Sequence, residues 1–148
     1  MKIAAALRGV SRLFFDTAPV IYYVERNPTY SALVDDIFDR VDAGTLQAGT
    51  SPITLAECLV GAIRQGSPQV QQDFRDIIVT GANVVFLIPD AAAAQQAADL
   101  RARYNLGLLD AFQVAAALAG GCHAFLTNDH LLKRVRELPI LVLDDLQL

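Results

Sequence analysis

Cysteine is nearly absent from this sequence. Cys58 and Cys122 are its only two, too few for a disulfide framework or a cysteine zinc cluster, which makes a reducing cytoplasm the default compartment. Long apolar runs are missing as well: no stretch approaches the roughly eighteen residues of a membrane span. Charge is scarce, at 19% of residues against 53% hydrophobic, a balance too apolar for a disordered chain. Positive charge is scarcer still. The net charge of −4 excludes a nucleic-acid binder that works by bulk positive potential. Lysine occurs only at Lys2 and Lys133, so arginine, whose planar fork suits phosphate oxygens, supplies nearly all the basic groups. The opening MKIAAALRGVSRL begins like a secretory leader, but Arg8 interrupts its apolar run and no signal peptide is expected.

What is present reads as one folded unit. The 148 residues contain no repeat, low-complexity tract or linker, and a chain of this length buries a core without staples. Short, continuous, β-rich apolar runs at 12–15, 47–50, 84–88, 124–127 and 140–143 have the character of strands buried on both faces. Between them lie helical stretches. Residues 28–43 carry Tyr30, Leu33, Val34, Ile37, Phe38 and Val41 at helical spacing before Gly44, a one-sided packing helix. Ser51-Pro52 and Ser67-Pro68 each give an N-cap followed by proline at the first helical position; the first helix runs to Arg64, and the second turns Val70, Phe74, Ile77 and Ile78 inward. Helices are also expected over 91–103, 110–119 and 130–137. Alternating strands and helices imply a five-stranded parallel sheet covered on both faces, a three-layer α/β/α sandwich.

Four carboxylates stand in unusually apolar settings: Asp16 in RLFFDTAPVIYYVE, Glu57 in SPITLAECLVGAI, Asp110 in NLGLLDAFQVAAAL and Asp129 in HAFLTNDHLLK. Each has a structural explanation. Asp16 and Asp129 can cap the helices that follow them, and D-A-F-Q has capping-box spacing. Glu57 lies past the first turn of its helix, beside Ile53 and Val60 by helical spacing, where capping does not apply and the structural explanation is a helix side that reaches water. Taken together, the four have the character of one acidic pocket, and like charges gathered out of water need a neutralising partner such as a divalent cation. Without these four acids the remaining chain is formally neutral. In an open parallel sheet, ligands bind beyond the carboxyl ends of strands, where strand order reverses. With the first and fourth strands as central neighbours, Asp16 and Asp129 would meet there. Asp90, Asp144 and Asp145 also follow strands, but strands expected towards the sheet edges, and they read as caps or solvated turns.

In combination the segments FFDTAPVIYY, TLAECLVG, LGLLDAFQVAAAL and FLTNDHLL resemble, in order and spacing, the PIN domain, the ribonuclease fold of VapC-type toxins from toxin–antitoxin pairs. The resemblance spans nearly the whole chain, the first ten residues preceding the family's opening strand as an extension. It implies a metal site formed by Asp16, Glu57, Asp110 and Asp129, oriented by Thr127, with Thr17 and Asn128 in supporting contact. Oxygen-only ligation favours Mg²⁺ or Mn²⁺. The implied activity is metal-dependent hydrolysis of RNA phosphodiesters, with transfer or ribosomal RNA as substrate. The implied partners are a cognate antitoxin, whose peptide inserts near the pocket, and a second copy of the chain.

Substrate contacts are less sharply written. Arg64 follows Glu57 by seven residues on the same helix face, placing it to hold a phosphate, or simply to lie solvated. Tyr22 and Tyr23 suit base stacking or core packing, while His123 and His130 read as structural or surface groups. Two other function classes compete. A non-catalytic binding module would keep the fold without using the acids for chemistry, and a phosphoacceptor receiver domain would need a lysine after a late strand, a place that Lys133 does not occupy if it lies within a helix.

Overall fold

The computed structural model describes residues 1–148. Five parallel strands form its sheet: β1 (Arg12–Phe15), β2 (Gln47–Thr50), β3 (Val84–Phe86), β4 (Ala124–Thr127) and β5 (Ile140–Val142). Their order is β3-β2-β1-β4-β5. β1 is therefore central, with β2 on one side and β4 on the other, Leu13 pairing with Ala48 and with Ala124. The chain winds outward from β1 to β3, then returns to the centre to place β4 and β5. The reversal of direction lies between β1 and β4.

Each central strand is buried on both faces, which is why its sequence is apolar without alternation. Leu13 and Phe15 enter a core with Val20, Ile37, Phe38 and Phe74, whereas Phe14 enters a second core with Leu100, Val114 and Phe125. Phe14 stacks on Phe125 with ring centroids 5.1 Å apart, and Phe15 meets Phe38 at 4.9 Å. The first layer is built by α2 (Thr17–Val24), α3 (Ser31–Asp42), α4 (Pro52–Arg64) and α5 (Pro68–Ile78). The other is built by α6 (Ala91–Tyr104) and α7 (Leu108–Ala119). The three-layer α/β/α arrangement expected from the sequence is thus the one observed.

Several boundaries differ from expectation, each for a local reason. α3 begins at Ser31 and not at residue 28, because the Asn27 side chain accepts from the Thr29 and Tyr30 amides at 2.9 and 3.3 Å and holds a turn there. β3 stops at Phe86, short of Pro89, which has no amide to give a ladder. α7 starts at Leu108 behind Gly107, so Asp110 lies inside its first turn and the capping box is not formed. The expected last helix is a 3₁₀ turn over His130–Arg134. Leu132 is its one buried residue, and Val135 behind it is already extended (φ −70°, ψ 132°), so the turn stops short of the expected Glu137.

The first ten residues are docked on the far terminus. α1 (Ile3–Ala6) follows a parallel bridge in which the Ile3 amide donates to Gln147 O and the Gln147 amide to Met1 O, both at 2.8 Å. Ile3 is buried in the same core as Leu143 and Leu146.

Candidate active site

Asp16 ends β1 and starts α2. Its amide still donates to Leu126 O at 2.9 Å, continuing the ladder onto β4, while its Oδ1 accepts from the Thr17 amide at 2.9 Å. It is the N-cap of α2, so the capping explanation is correct, but capping uses one oxygen only. The other, Oδ2, accepts from the Thr127 hydroxyl at 2.8 Å. The residue is 8% exposed. Burial pushes its pKa up to about 6, against hydrogen bonds from Thr127 and Thr17 that pull it down, and the charges of Asp110 and Glu57 raise it further.

Thr127, fully buried at the end of β4, joins two of the acids. Its Oγ1 donates to Asp16 and accepts from the Asp129 amide at 3.0 Å. Asp129 in turn caps the 3₁₀ turn, its Oδ1 accepting from the Leu131 amide at 2.9 Å. Glu57 reaches the same place from the middle of α4: its Oε1 accepts from Thr17 Oγ1 at 2.8 Å. Asp110 approaches from the first turn of α7. It is half-buried and makes no hydrogen bond through its carboxylate, and its pKa is raised by desolvation first and then by Asp129 and Glu57. Four elements therefore bring their acids to the β1/β4 switch, near enough for Asp110 and Glu57 to raise the pKa of Asp16, and for Asp129 and Glu57 to raise that of Asp110.

Burial within this pocket is graded, which the sequence did not convey. Asp16 is buried, Asp110 and Asp129 are intermediate, and Glu57 is exposed. The apolar face expected around Glu57 is open, since Val60 is 46% exposed. None of the four acids pairs with a lysine, arginine or histidine, so the like charges have no cation from the protein. No three acidic or imidazole side chains close around a common point as a full ligand set. An ion that takes one or two carboxylates and keeps its waters does not need such a set, whereas a caged Zn²⁺ or Ca²⁺ does.

The remaining residues singled out in the sequence lie further off. Asn128 turns away from the acids: its Nδ2 donates to Tyr22 Oη at 3.4 Å and its Oδ1 accepts from the Asp144 amide at 3.1 Å. Arg64, the last residue of α4, is exposed and has no partner; seven residues from Glu57 amount to roughly 10 Å of helix. Tyr22 stacks on Tyr30 and Tyr23 on Phe38. Asp90 caps α6 through the Ala93 amide at 2.9 Å, Asp144 accepts from Tyr30 Oη at 2.5 Å, and Asp145 pairs with Lys133. Lys133 is thus committed at the sheet edge, where no receiver-type phosphoacceptor site can use it beside Asp16.

Three buried polar residues, Thr50, Thr54 and Gln113, escaped the sequence reading, and Gln113 is the most telling. Gln113 on α7 is fully buried, and its Nε2 donates to Thr54 Oγ1 at 2.7 Å while its Oε1 accepts from Ser51 Oγ. A lone glutamine in the apolar run LLDAFQVAAALA was the available signal.

The sequence matches the PIN domain over residues 13–138. The chain belongs to the PIN-domain family. No curated protein matches it in sequence, but its fold recurs in solved structures. A DNA-bound VapBC from Salmonella typhimurium is similar at TM-score 0.69 and 19% identity, covering 89% of this chain and 98% of that one. VapBC2 from Rickettsia felis, bound to a promoter DNA fragment, is similar at TM-score 0.67 and 18% identity over 87% and 96% of the two chains. VapC20 from Mycobacterium tuberculosis, described as a Sarcin-Ricin loop cleaving toxin, is similar at TM-score 0.61 and 17% identity over 76% and 86%. At these identities the similarity concerns the fold. For this PIN domain it establishes a shared parallel sheet, and the chemistry rests on the acids themselves.

Proposed function

We propose that the chain is a Mg²⁺- or Mn²⁺-dependent endoribonuclease and the toxin of a toxin–antitoxin pair. The observation that carries this reading is the convergence of Asp16, Glu57, Asp110 and Asp129 at the sheet's switch point with no protein cation among them. Family membership and the toxin–antitoxin complexes among the structural neighbours support it. In this reading one or two of the four acids would hold the ion directly and the others would act through its waters, Asp16 and Asp129 being tied together through Thr127. A bound divalent ion supplies a lowered pKa for water and charge stabilisation at a phosphodiester.

The chain's own residues do the rest. Thr127 and Thr17 hold the Asp16 carboxylate in one orientation, and the Thr17 hydroxyl ties Glu57 to the start of α2 beside Asp16. Asp110, which has no hydrogen-bond donor on its carboxylate and a raised pKa, is the acid best suited to take a proton from the attacking water. Transfer or ribosomal RNA is the substrate class, the latter supported by the ribosomal-loop cleavage ascribed to the mycobacterial neighbour. A cognate antitoxin, a homodimeric state and a cytoplasmic location complete the proposal; no helix is long and apolar enough to cross a membrane.

Sequencing RNA ends after brief induction of the wild-type chain beside Asp16→Asn tests this. New ends at defined sites in the wild type and none in the variant are expected. Identical ends in both would refute the nuclease reading and favour a non-catalytic binding module.

A further inference from the structure

Gln113 sits where three of the acid-bearing elements meet. Its amide nitrogen donates to Thr54 Oγ1 at 2.7 Å, and Thr54 Oγ1 donates onward to Phe15 O at 3.3 Å. Its amide oxygen accepts from Ser51 Oγ, the N-cap of α4, which itself accepts from the Ile53 and Thr54 amides at 3.1 and 3.4 Å. Ser51, Thr54 and Gln113 are each fully buried, and no buried side-chain polar atom is left without a partner. These partners orient the amide: reversed, its N–H would face the Ser51 hydroxyl, which already accepts from two amides, and its oxygen would draw the Thr54 hydroxyl off Phe15 O.

The register of these contacts matters more than their number. Phe15 immediately precedes Asp16, Thr54 is one helical turn before Glu57, and Gln113 is one turn after Asp110. Residues three apart share a helix face. A single side chain thus links the strand end, the helix and the helix that present three of the four acids, each at a point next to or one turn from the acid itself. A buried amide network of this kind is costly if half-satisfied and rigid if complete. An apolar residue at position 113 would fill the same space without linking the elements.

We infer that Gln113 is a positioning residue: through Thr54 and Ser51 it fixes the mutual spacing of Asp16, Glu57 and Asp110 and so sets the affinity of the pocket for a divalent cation. This rests on the metal-site reading above.

The test is Mn²⁺ binding by calorimetry, without RNA, to wild type, Gln113→Met, Thr54→Val and Thr54→Ser, each checked for a cooperative unfolding transition. Supporting residues behind metal ligands are worth roughly 10–100-fold in affinity. Gln113→Met and Thr54→Val should each weaken Mn²⁺ binding by about tenfold or more, and their combination should be no weaker than either alone, as expected of one unit. Thr54→Ser keeps the hydroxyl and loses only a methyl group, so it should bind within about twofold of wild type. A role in packing alone gives the reverse order, with Thr54→Val the better binder. Wild-type affinity in folded Gln113→Met or Thr54→Val overturns the positioning role alone. No Mn²⁺ binding by wild type overturns the metal site and this role with it.

Discussion

At Asp16 the electrostatic and structural demands on one side chain pull in opposite directions. Its folded-state pKa of about 6 lies above the ordinary 3.8, so the folded protein holds the proton more tightly than the unfolded chain does. The stabilisation from the neutral form is complete below about pH 4 and is lost as pH rises through about 6, an effect of about 3 kcal/mol for a shift of this size. In metal-free protein, Asp16→Asn should therefore gain about that much relative to wild type between pH 4 and pH 7, measured by denaturant unfolding. A pH-independent difference between the two proteins would show that the carboxylate is not penalised by burial. Thr127→Val removes the donor to Asp16 and leaves the Asp129 amide without its acceptor. Cleavage should fall by about tenfold or more, through kcat more than through KM, because the change disorders the acids and not the RNA contacts. Single-turnover rates against RNA concentration measure that split.

For the elements, the sequence was most informative where one physical cue acts alone. Strands β1 and β4 were legible to the residue because burial on both faces leaves them largely apolar, RLFF and AFLT, and β2, QAGT, because Ser51-Pro52 marks where it must end. The ends of β3 and β5 were not, because Leu87, Ile88 and Leu143 are as apolar as a strand, yet the first two lie in irregular chain and Leu143 opens a 3₁₀ turn. Asp16 and Asp129 were legible because topology places them at the reversal of strand order. The exposure of Glu57 was the lesser of two readings, since Ile53 and Val60 look like core partners but flank an open face. Gln113 was missed because its partners are separated from it by 59 and 62 residues, beyond any local pattern. Ser51 shows how a cap and a network coincide: Ser51→Ala removes the α4 cap and the proton offered to Gln113, and should cost roughly 1–3 kcal/mol in chemical denaturation. A change under half a kcal/mol would mean that the network relaxes freely.

On the scale of the whole molecule, the fold gathers its acids at one end of the sheet and ties its two termini to each other. The acids collect at the carboxyl ends of β1 and β4, while the termini are joined by the Lys2 and Gln147 bridge, with Ile3 buried beneath it. Ile3→Ala should cost about 2–5 kcal/mol of stability, as for other large-to-small changes in a core, without changing cleavage per folded molecule; a loss of activity in folded protein would show that the N-terminal segment reaches the site. The central claim concerns the acids acting together with a divalent ion. Its most direct test is cleavage of purified ribosomal and transfer RNA by purified chain, with Mg²⁺ or with EDTA, wild type beside Asp16→Asn. The expected result is discrete fragments with Mg²⁺ in the wild type only, lost on chelation and restored by added metal. Equal cleavage in EDTA or by Asp16→Asn, or none under any condition, would contradict it.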